Sequence, residues 1–510
     1  MKPTRCPATR SGACPGIRRA AHPGRTASPR VEYRANSAAI PLSPGRTAPA
    51  LPRSRRSGGS VRRLFVPPAL LLAATAPSAC GDPVATEAPA EIEVISGADQ
   101  RAVQGLSLEE PVVVRVLDED GRPIPDFEVV FAPSPGHGLI DSASATDEDG
   151  AAQAFWKLGP DPGKQTLGIT AGEVTATVSA EALDLEAELD LLFASPSQAE
   201  IDSISADWAA RDYSAASVRV ELSEALSLSG TAATLRVVSH VVAGARHYGA
   251  IVVPDGAPDG SLHLVSYLHG GDNGTSLNDL QFVGSALGEL TDRFVYVVPS
   301  FRSEPLRHGS RTWVSEGAPS LWDYDVDDAM ALVSVAFGMT PEAEPGSYSI
   351  IGGSRGAGVA LLVGARDERV ERLVAFFGPT DFFDDWVREI VREAALRMPR
   401  QLTGVAHLDS TIIQPFIRGE MTRAGARLEL VRRSPVLYAA DLPSVQLHHG
   451  VLDEVVAVSQ AESLIRTMEE LGREPPDFEA YIYDDGGHDY FTLQMAVERA
   501  VEFISRELGG

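Results

Sequence analysis

The feature that most restricts the fold of this chain is an alternation of strand-like and helix-like segments that begins after Gly260. Short apolar runs, among them "LHLVSYLH", "FVYVVPSF", "YSIIGG" and "SVQLHH", are separated by helix-like segments such as "YDVDDAMALVSVAF" and "QAESLIRTMEEL". Alternation of this kind is typical of a mostly parallel sheet that is covered by helices on both faces. We therefore predict an α/β fold for this half of the chain.

A glycine-rich turn within this alternation surrounds a single serine. The residues "GGSRG" from Gly352 to Gly356 match the pattern G-x-S-x-G, with a strand-like run before them and a helix-like run after them. In that setting the serine stands on a tight, strained turn, and a Cβ two residues to either side would collide with the flanking strand or helix. Phosphate-binding motifs do not fit, because no Lys-Ser/Thr pair follows Gly358 and the glycines lack the dinucleotide spacing. Ser354 is therefore a candidate nucleophile, and an ordinary glycine-rich βα turn is the alternative interpretation.

The downstream sequence offers the partners that a serine nucleophile needs, a base that accepts its proton and an acid that orients the base. In α/β-hydrolases these residues follow in the chain order serine, acid, histidine. Here "LHHGVLDEVV" places Asp453 after one strand, and "YIYDDGGHDYF" places His488 after the last. Because parallel strands end at the same edge of a sheet, we predict a catalytic triad of Ser354, Asp453 and His488. Three other carboxylates are alternatives for the acid: Asp381, Asp484 and Asp485.

An earlier strand ends in "YLHGGDNG", which supplies a loop of the HGG type. Backbone N–H groups in such a loop stabilise the negatively charged oxygen of a tetrahedral intermediate. We predict that the amides of Gly271 and of Arg355, the residue after the nucleophile, bind this oxyanion. His269 and Gly270 are predicted to support the loop, and His269 is not expected to act as a base.

Two other groups of polar residues near these motifs are interpreted as structural. We expect His448 and His449 to be one core histidine and one turn histidine. Asp325, Asp327 and Asp328 are interpreted as the solvated first turn of a helix, where carboxylates suit the positive helix end.

Taken together, these motifs resemble the catalytic domain of the prolyl oligopeptidase family and its dienelactone-hydrolase-like relatives. The resemblance covers roughly the last 260 residues and rests on "YLHGG", "VVPSFRSEPL", "DVDDAMAL", "GGSRGAGVALL", "GPTDFF", "SPVLYAADLPSVQLHHGVLDEVV" and "DDGGHDYF". It implies an α/β-hydrolase fold and a serine hydrolase that cleaves peptide or ester bonds with no cofactor or metal. The oligopeptidases carry a large β-propeller that gates substrate size. The segment before this domain is too short to form one, so a limit on peptide length is not carried over.

An all-β segment is predicted ahead of this domain. From residue 91 to residue 183 apolar and polar residues alternate, and turn signals recur every 8–12 residues, which predicts a sandwich of about seven short strands. The stretches "VRVLDEDGRPIPDFEVVFA" and "TDEDGAAQAFWKLG" resemble bacterial Ig-like repeats of the invasin/intimin type. The turn Asp147–Gly150 lacks the glutamate at position twelve of a calcium-binding loop, where Leu158 stands, so we interpret it as plain turn chemistry.

The N-terminal segment has the features of an export signal. Between Val61 and Asp82, two arginines precede an apolar stretch, small residues and Cys80. About 16 apolar residues are too few for a membrane span, which needs roughly 20, so we predict a secretory signal. Its end, "PSAC", resembles a bacterial lipoprotein signal, which implies a lipid on Cys80; cleavage as an ordinary signal near Ala79 is the alternative. The other two cysteines precede this segment, so we expect no disulfide, zinc site or cysteine nucleophile in the mature chain.

The charge distribution narrows the classes of partner. The net charge of −26 combines +13 in residues 1–63 with −39 in the remainder. The strong negative charge of residues 64–510 argues against nucleic acid or an anionic membrane surface as a partner. We expect a peptide or ester substrate, and a membrane contact only through the lipid anchor.

These interpretations combine into one predicted organisation. Residues 1–60 are predicted to be disordered and not part of the natural protein, and a signal peptide (61–80) and a tether (81–90) follow. The folded part consists of an Ig-like sandwich (91–183), a linker helix with leading strands (184–245) and an α/β-hydrolase domain (246–510) with an insertion at about 386–433. We interpret the insertion as a cap over the pocket, with a packing appendage as the alternative. The sandwich either contacts cell-surface material or acts as a spacer.

The predicted function is that of an exported, lipid-anchored serine hydrolase of prolyl oligopeptidase-like type, periplasmic or secreted if the lipid is absent. A carboxylesterase that acts on small or carbohydrate-linked esters is the first alternative. A non-catalytic surface adhesion protein on a degenerate hydrolase scaffold is the second. Peptidases and esterases share this machinery and differ in the acyl pocket, so the motifs do not separate them.

Overall fold

The computed structural model of the chain describes residues 88–506. The predicted disordered stretch, the signal peptide, Cys80 and most of the tether lie outside the described residues. Between residues 88 and 506 we find no helix with the length and apolar character that a membrane crossing requires.

The first part of the described chain is a β-sandwich. Its strands are β1 (Glu91–Ser96), β2 (Arg101–Val103), β3 (Val112–Leu117), β4 (Val130–Pro133), β5 (Leu139–Ala143), β6 (Ala151–Lys157), β7 (Gly163–Ala171) and β8 (Val174–Leu183). They form two four-stranded sheets, in the orders β1-β3-β6-β5 and β2-β8-β7-β4. In β6 the side chains of Ala152, Ala154 and Trp156 are buried, whereas Gln153 and Phe155 are exposed. Buried residues of both sheets belong to one apolar core, which joins them into a single sandwich.

Two helices, α1 (Leu185–Leu192) and α2 (Gln198–Ala210), connect the sandwich to the second part of the chain. A capping box starts α2: Ser197 Oγ accepts from the Glu200 amide, and the Glu200 carboxylate accepts from the Ser197 amide. Ile204 and Trp208 lie on the buried face of this helix.

The second part is a mixed α/β domain. The strands of its main sheet are β9 (Ala216–Leu228), β10 (Thr231–Val242), β11 (Ala245–Pro254), β12 (Leu262–Leu268), β14 (Phe294–Pro299), β17 (Ala343–Gly353), β18 (Val370–Phe376), β19 (Ser444–Gly450) and β20 (Phe478–Tyr483), while β13 (Thr275–Ser276), β15 (Pro305–His308) and β16 (Arg311–Val314) form a small separate sheet. The order in the main sheet is β20-β19-β18-β17-β12-β14-β11-β10-β9. The six strands from β20 to β14 pair in parallel, and β11, β10 and β9 continue the sheet antiparallel. The predicted mixed α/β architecture on a large, mostly parallel sheet is confirmed.

Helices cover both faces of this sheet. On one face lie α3 (Asp279–Leu287) and α11 (Ala496–Ser505), and on the other lie α4 (Tyr324–Met339), α5 (Arg355–Arg366) and α10 (Ser459–Glu470). Successive side chains of a strand point to opposite faces. Phe294, Tyr296 and Val298 of β14 accordingly join the core of α3 and α11, while Val295 and Val297 join the core of the other three helices.

Between β18 and β19 the chain forms four short helices, α6 (Asp385–Ala395), α7 (Val405–Leu408), α8 (Gln414–Arg418) and α9 (Arg423–Arg432). They pack against α1, α2 and the sandwich through ion pairs. These pairs are Arg423 with Glu188 at 2.8 Å, Arg427 with Glu200 at 2.6 Å and Arg418 with Glu109 at 3.3 Å. These are the contacts of a packing element, and a role as a cap stays a prediction.

Candidate active site

Ser354 occupies the sharp turn between β17 and α5. Its φ of 53° and ψ of −123° lie in a region that residues other than glycine rarely adopt. The Ser354 amide donates to the Phe376 carbonyl of the neighbouring strand at 2.9 Å. The turn therefore holds strain of about 1–3 kcal/mol, as expected where a side chain must project from the edge of a sheet.

The glycines around Ser354 are required by close packing. A Cβ on Gly352 would lie 2.3 Å from the Gly356 carbonyl oxygen, and a Cβ on Gly356 would lie 2.1 Å from the Leu268 carbonyl oxygen. The first collision is with the following helix, as predicted, whereas the second is with β12, a neighbouring strand that does not flank the turn. Gly353 is restricted by a side chain, which the sequence did not reveal: a Cβ there would lie 1.8 Å from the hydroxyl of Tyr490, and that ring would have to move.

The structure brings the three predicted triad side chains together. His488 Nε2 lies 2.9 Å from Ser354 Oγ, and His488 Nδ1 lies 2.7 Å from Asp453 Oδ2. The three residues follow β17, β19 and β20, so they meet at the carboxyl edge of the sheet. With a carboxylate at Nδ1, that nitrogen carries the proton and Nε2 is left to accept from the serine hydroxyl.

Asp453 is held ionised by its surroundings. Its side chain has no exposed surface, and its Oδ1 accepts from the amides of Val455 and Val456 at 2.8 and 2.9 Å. Burial by itself raises the pKa of this carboxyl, but hydrogen bonds from His449, His488 and the Val456 amide outweigh burial and lower the pKa below its ordinary value. The group is therefore a carboxylate at neutral pH.

His449 is a supporting residue that sequence reasoning missed. Its Nε2 lies 2.9 Å from the Val456 carbonyl oxygen and 3.4 Å from Asp453 Oδ2, inside β19 and fully buried. The prediction that one of the two histidines stands in a turn is wrong, because both lie in the strand. His448 is the core residue, stacked between Phe376 and Tyr481 with ring centroids 4.8 and 5.3 Å away.

The alternative acids occupy other places. Asp381 accepts from Ser463 Oγ at 2.6 Å and from the Phe383 amide at 2.8 Å, so it braces the turn after β18. Asp484 and Asp485 are exposed. Within residues 88–506, Asp453 is the carboxylate that hydrogen-bonds to the predicted base.

The predicted oxyanion loop passes beside the nucleophile. A Cβ on Gly270 would lie 3.1 Å from Ser354 Cβ. Gly271 adopts a φ of 74°, and its amide donates to no group among the described residues. Arg355 is the first residue of α5, so its amide has no carbonyl partner within the helix. Both predicted donors are therefore available to an oxyanion.

The side chain of Arg355 ties this loop to two carboxylates. Its Nη1 donates to the Gly271 carbonyl at 3.1 Å and to Glu304, and its Nε and Nη2 donate to Asp325 Oδ2 at 3.0 and 2.7 Å. The guanidinium is 1% exposed. Burial disfavours its charge, but Asp325 and Glu304 raise its pKa above the ordinary value, so Arg355 stays protonated.

The prediction of a solvated first turn in α4 was wrong. Asp325, Asp327 and Asp328 are all buried. Each is paired with an arginine from another element: Asp325 with Arg355 at 2.7 Å, Asp327 with Arg366 at 2.5 Å and Asp328 with Arg302 at 2.8 Å. The helix packs with its acidic end against these arginines, and that tertiary contact outweighs the preference of charged residues for water.

His269 contacts the backbone of the oxyanion loop and the residues packed against it. Its Nδ1 lies 3.0 Å from the Gly270 carbonyl oxygen, its Nε2 lies 3.6 Å from Glu304, and its ring packs 4.5 Å from that of Phe301. Complete burial lowers the pKa of His269 to about 4. The imidazole is neutral at neutral pH, and its place under the loop suits the predicted supporting role.

Three further observations concern regions outside this site. A cleft of about 1040 Å³ is lined by Trp208, Tyr213, Arg366 and Tyr438, at the other end of α5, and no triad residue reaches it. In the part of the chain that the structure describes, no three His, Cys, Asp or Glu side chains are grouped to hold a metal ion. At Asp147, Oδ1 accepts from the amides of Asp149 and Ala151, each at 2.9 Å, as in an ordinary turn.

No family model and no curated protein matches the chain. Three similar solved structures are acetyl xylan esterase 1 from Thermoanaerobacterium sp. JW/SL YS485 (16% identity, 64% of this chain, 99% of that chain, TM-score 0.45), the Pyrococcus furiosus esterase Pf2001 (18%, 54%, 93%, 0.37) and a Mycobacterium tuberculosis puromycin-hydrolyzing peptidase (15%, 83%, 56%, 0.37). All three TM-scores lie below 0.5, so we base neither the fold nor an activity on them. The strand order and the side-chain geometry carry the argument instead.

Proposed function

We propose that this protein is a serine hydrolase of the α/β-hydrolase class that cleaves peptide or ester bonds through an acyl-enzyme. The observation that carries the proposal is the continuous hydrogen-bonded chain from Ser354 Oγ through His488 to Asp453, at 2.9 and 2.7 Å. Its support is the strained turn at Ser354 and the amides of Gly271 and Arg355, which donate to no group among the described residues.

In the proposed reaction Ser354 Oγ attacks the acyl carbon while His488 Nε2 accepts the hydroxyl proton. Asp453 holds the ring in the required tautomer and stabilises the imidazolium that forms. The amides of Gly271 and Arg355 bind the negative oxygen of the tetrahedral intermediate. His488 then gives the proton to the departing alcohol or amine, and a water molecule hydrolyses the acyl-enzyme by the same sequence of steps.

The prolyl oligopeptidase-like type is the main proposal within this class, and a carboxylesterase on small or carbohydrate-linked esters is the alternative. The longer stretches that resemble this family, such as "SPVLYAADLPSVQLHHGVLDEVV" and "GGSRGAGVALL", support the first, whereas the triad itself fits both. Export, a lipid on Cys80 and an Ig-like spacer complete the proposal. They rest on the sequence from Val61 to Asp82 and on the repeat-like stretches of the sandwich.

Labelling with a fluorophosphonate probe tests the proposal. We expect the folded parent to take up the probe, the adduct to map to Ser354, and the Ser354→Ala variant to remain unlabelled. A folded parent that takes up no probe and hydrolyses neither p-nitrophenyl esters nor aminoacyl-nitroanilides would establish the non-catalytic alternative. The relative rates on these two kinds of substrate separate an esterase from a peptidase.

A further inference from the structure

Four large apolar side chains face solvent in the two loops that carry the proposed acid and base. Val451 and Leu452 follow β19 and are 41% and 60% exposed, and Phe491 and Met495 follow β20 and are 81% and 51% exposed. We call these four residues the apolar rim. Single apolar residues on a surface are ordinary, but a group of them around a reactive centre is typical of a binding surface.

The two loops of the apolar rim are joined to each other. The Leu452 amide donates to the Gly486 carbonyl at 2.8 Å, and the Val451 amide donates to the Tyr483 carbonyl at 2.9 Å. The Gly487 amide in turn donates to Thr492 Oγ1 at 3.0 Å. The two loops that carry the rim are therefore held to each other beside the imidazole.

A series of ring contacts links the imidazole to the most exposed member of the rim. The His488 ring lies 4.5 Å from that of Phe377, and Phe377 lies 4.9 Å from Tyr490. Phe282 of α3 lies 5.7 Å from Tyr490 and 5.4 Å from Phe491. The edge contact with Phe282 holds the Phe491 ring in place while most of its surface stays in water.

The position of the rim indicates which part of a substrate it would contact. Ser354 follows β17, which lies in the sheet between β12, the strand before the oxyanion loop, and β18, β19 and β20. The loops of the rim follow β19 and β20, and Phe491 lies three residues after the base, although its ring reaches Phe282 of α3, the helix that follows the oxyanion loop. The base must deliver its proton to the leaving group, so the leaving group lies on the side of His488 as well.

We propose that the natural substrate has a large apolar leaving group, an aryl or arylalkyl alcohol or amine, which binds on the apolar rim with Phe491 as its main contact. This inference rests on the proposed function and names the substrate class of the same site. On this proposal the rim selects the leaving group and not the acyl group. Apolar area on Phe491 and Leu452 that is exposed in the free protein becomes buried only when such a leaving group is present.

The test compares two acetates that differ only in the leaving group, ethyl acetate and 3-phenylpropyl acetate. Both release a primary alcohol of similar acidity, so a difference in kcat/KM reports binding of the phenyl ring. We expect the parent to prefer the phenylpropyl ester by about tenfold to a hundredfold, the range that burial of one phenyl ring supplies. Phe491→Ala is expected to reduce that preference about tenfold. The matching pair of acetamides is measured in parallel for the case of a peptidase.

The matched control is Phe155→Ala, which removes the same side chain, 37% exposed, from the outer face of the sandwich. This variant should keep the preference of the parent. Equal kcat/KM for the two substrates, or a preference that Phe491→Ala leaves intact, would overturn the inference while hydrolysis and probe labelling at Ser354 continue. A second pair of substrates, ethyl 4-phenylbutanoate and ethyl acetate, places the phenyl ring on the acyl group instead. A preference for the phenyl-bearing ester of this pair that Phe491→Ala removes would also overturn the inference. A third contrary result involves lipid. If the parent sediments with phosphatidylcholine vesicles, and Phe491→Ala abolishes sedimentation but keeps the substrate preference, the rim binds lipid and not the leaving group. Loss of both hydrolysis and labelling in the parent would instead be a failure of the proposed function.

Discussion

The candidate site has two halves that are held in place by different forces. The relay half consists of Ser354, His488 and Asp453, and the oxyanion half consists of the loop from His269 to Gly271 with Arg355, Glu304 and Asp325. The relay half is a line of hydrogen bonds between strand ends, in which Asp453 is also held by two backbone amides and the histidine side chain is 18% exposed. The oxyanion half is a buried cluster of ions in which one guanidinium joins two carboxylates and a carbonyl.

Because of this difference, we expect substitutions in the relay half to affect mainly the reaction, and substitutions in the oxyanion half to affect both the reaction and the stability of the fold. A substitution of similar shape in the relay half removes a proton acceptor or donor and keeps most of the surrounding packing. A substitution in the oxyanion half leaves a buried charge without its partner, which costs about 3–5 kcal/mol of stability, and also displaces the backbone that binds the oxyanion. The two halves are therefore distinguishable by measuring turnover and stability on the same set of variants.

The largest effect is expected for Ser354→Ala. Without the nucleophile only binding and the oxyanion donors assist the reaction, so kcat should fall by at least about 10⁴-fold. The thermal transition should stay within a few degrees of that of the parent, because within residues 88–506 the serine side chain makes one hydrogen bond, to His488. Turnover equal to that of the parent would show that the reaction does not pass through this residue.

Asp453→Asn tests the other end of the relay half. An amide in place of the carboxylate favours the wrong imidazole tautomer, so activity at neutral pH should fall by about 10⁴-fold. The control is Asp381→Asn, which alters a turn-bracing carboxylate and should lower kcat by less than about threefold, the effect of a substitution that does not contact the reacting groups. If Asp381→Asn loses activity and Asp453→Asn keeps it, the acid lies after β18 and the present assignment of the loop is wrong.

Arg355→Lys is designed to act on the oxyanion half. Lysine keeps the charge but cannot donate at once to Asp325, Glu304 and the Gly271 carbonyl. We expect kcat to fall by about 10–100-fold with KM nearly unchanged, because the oxyanion donors bind the transition state more strongly than the substrate. Thermal unfolding should also occur at a lower temperature.

The matched control for this variant is Arg366→Lys. Both arginines belong to α5 and both pair with the first turns of α4, Arg366 through Asp327. The control should show a similar loss of stability with kcat retained, since it lies at the far end of the helix. Equal losses of kcat in both variants would mean that Arg355 acts through the stability of the domain and not through the position of Gly271.

The relay half could be predicted from the sequence because its information is local. The G-x-S-x-G turn specifies its own geometry, and Asp453 and His488 follow apolar runs that end at the same edge of a parallel sheet. The loop of Gly270 and Gly271 could be predicted for the same reason. No contact across the sheet was needed to place any of them.

The remainder of the site depends on tertiary contacts that no local pattern encodes. Asp325 stands 30 residues before Arg355, in a helix start whose charges are equally compatible with water, and only the packing of α4 against α5 joins the two. In the sequence Gly353 does not differ from other strand residues, and its restriction comes from the Tyr490 ring, which belongs to the C-terminal loop. His449 supports the acid from within its own strand, at a position where a core or turn histidine was equally plausible.

The smallest expected effect is a pH dependence of stability that also compares the two halves. Burial lowers the pKa of His269 in the oxyanion half to about 4, whereas an imidazole in the unfolded chain has a pKa of about 6.5. Between these values the unfolded chain binds a proton that the folded protein does not. The stability that this group contributes is therefore complete above about pH 6.5 and is lost progressively as the pH falls toward 4.

In a His269→Gln variant this proton is absent from both states, so the decline of the unfolding free energy between pH 6.5 and 4 should be shallower by up to about 1.4 kcal/mol per pH unit. Urea unfolding of parent and variant at four pH values measures the slope. His240→Gln provides a reference outside the site, because burial also lowers the pKa of His240 to about 4, and it should flatten the curve to the same extent. If His240→Gln flattens the curve and His269→Gln does not, then His269 is already protonated in the folded protein and paired with Glu304, 3.6 Å away. The oxyanion half would then carry a second buried cation beside Arg355, and the neutral support that we assign to His269 would have to be replaced by an ion pair.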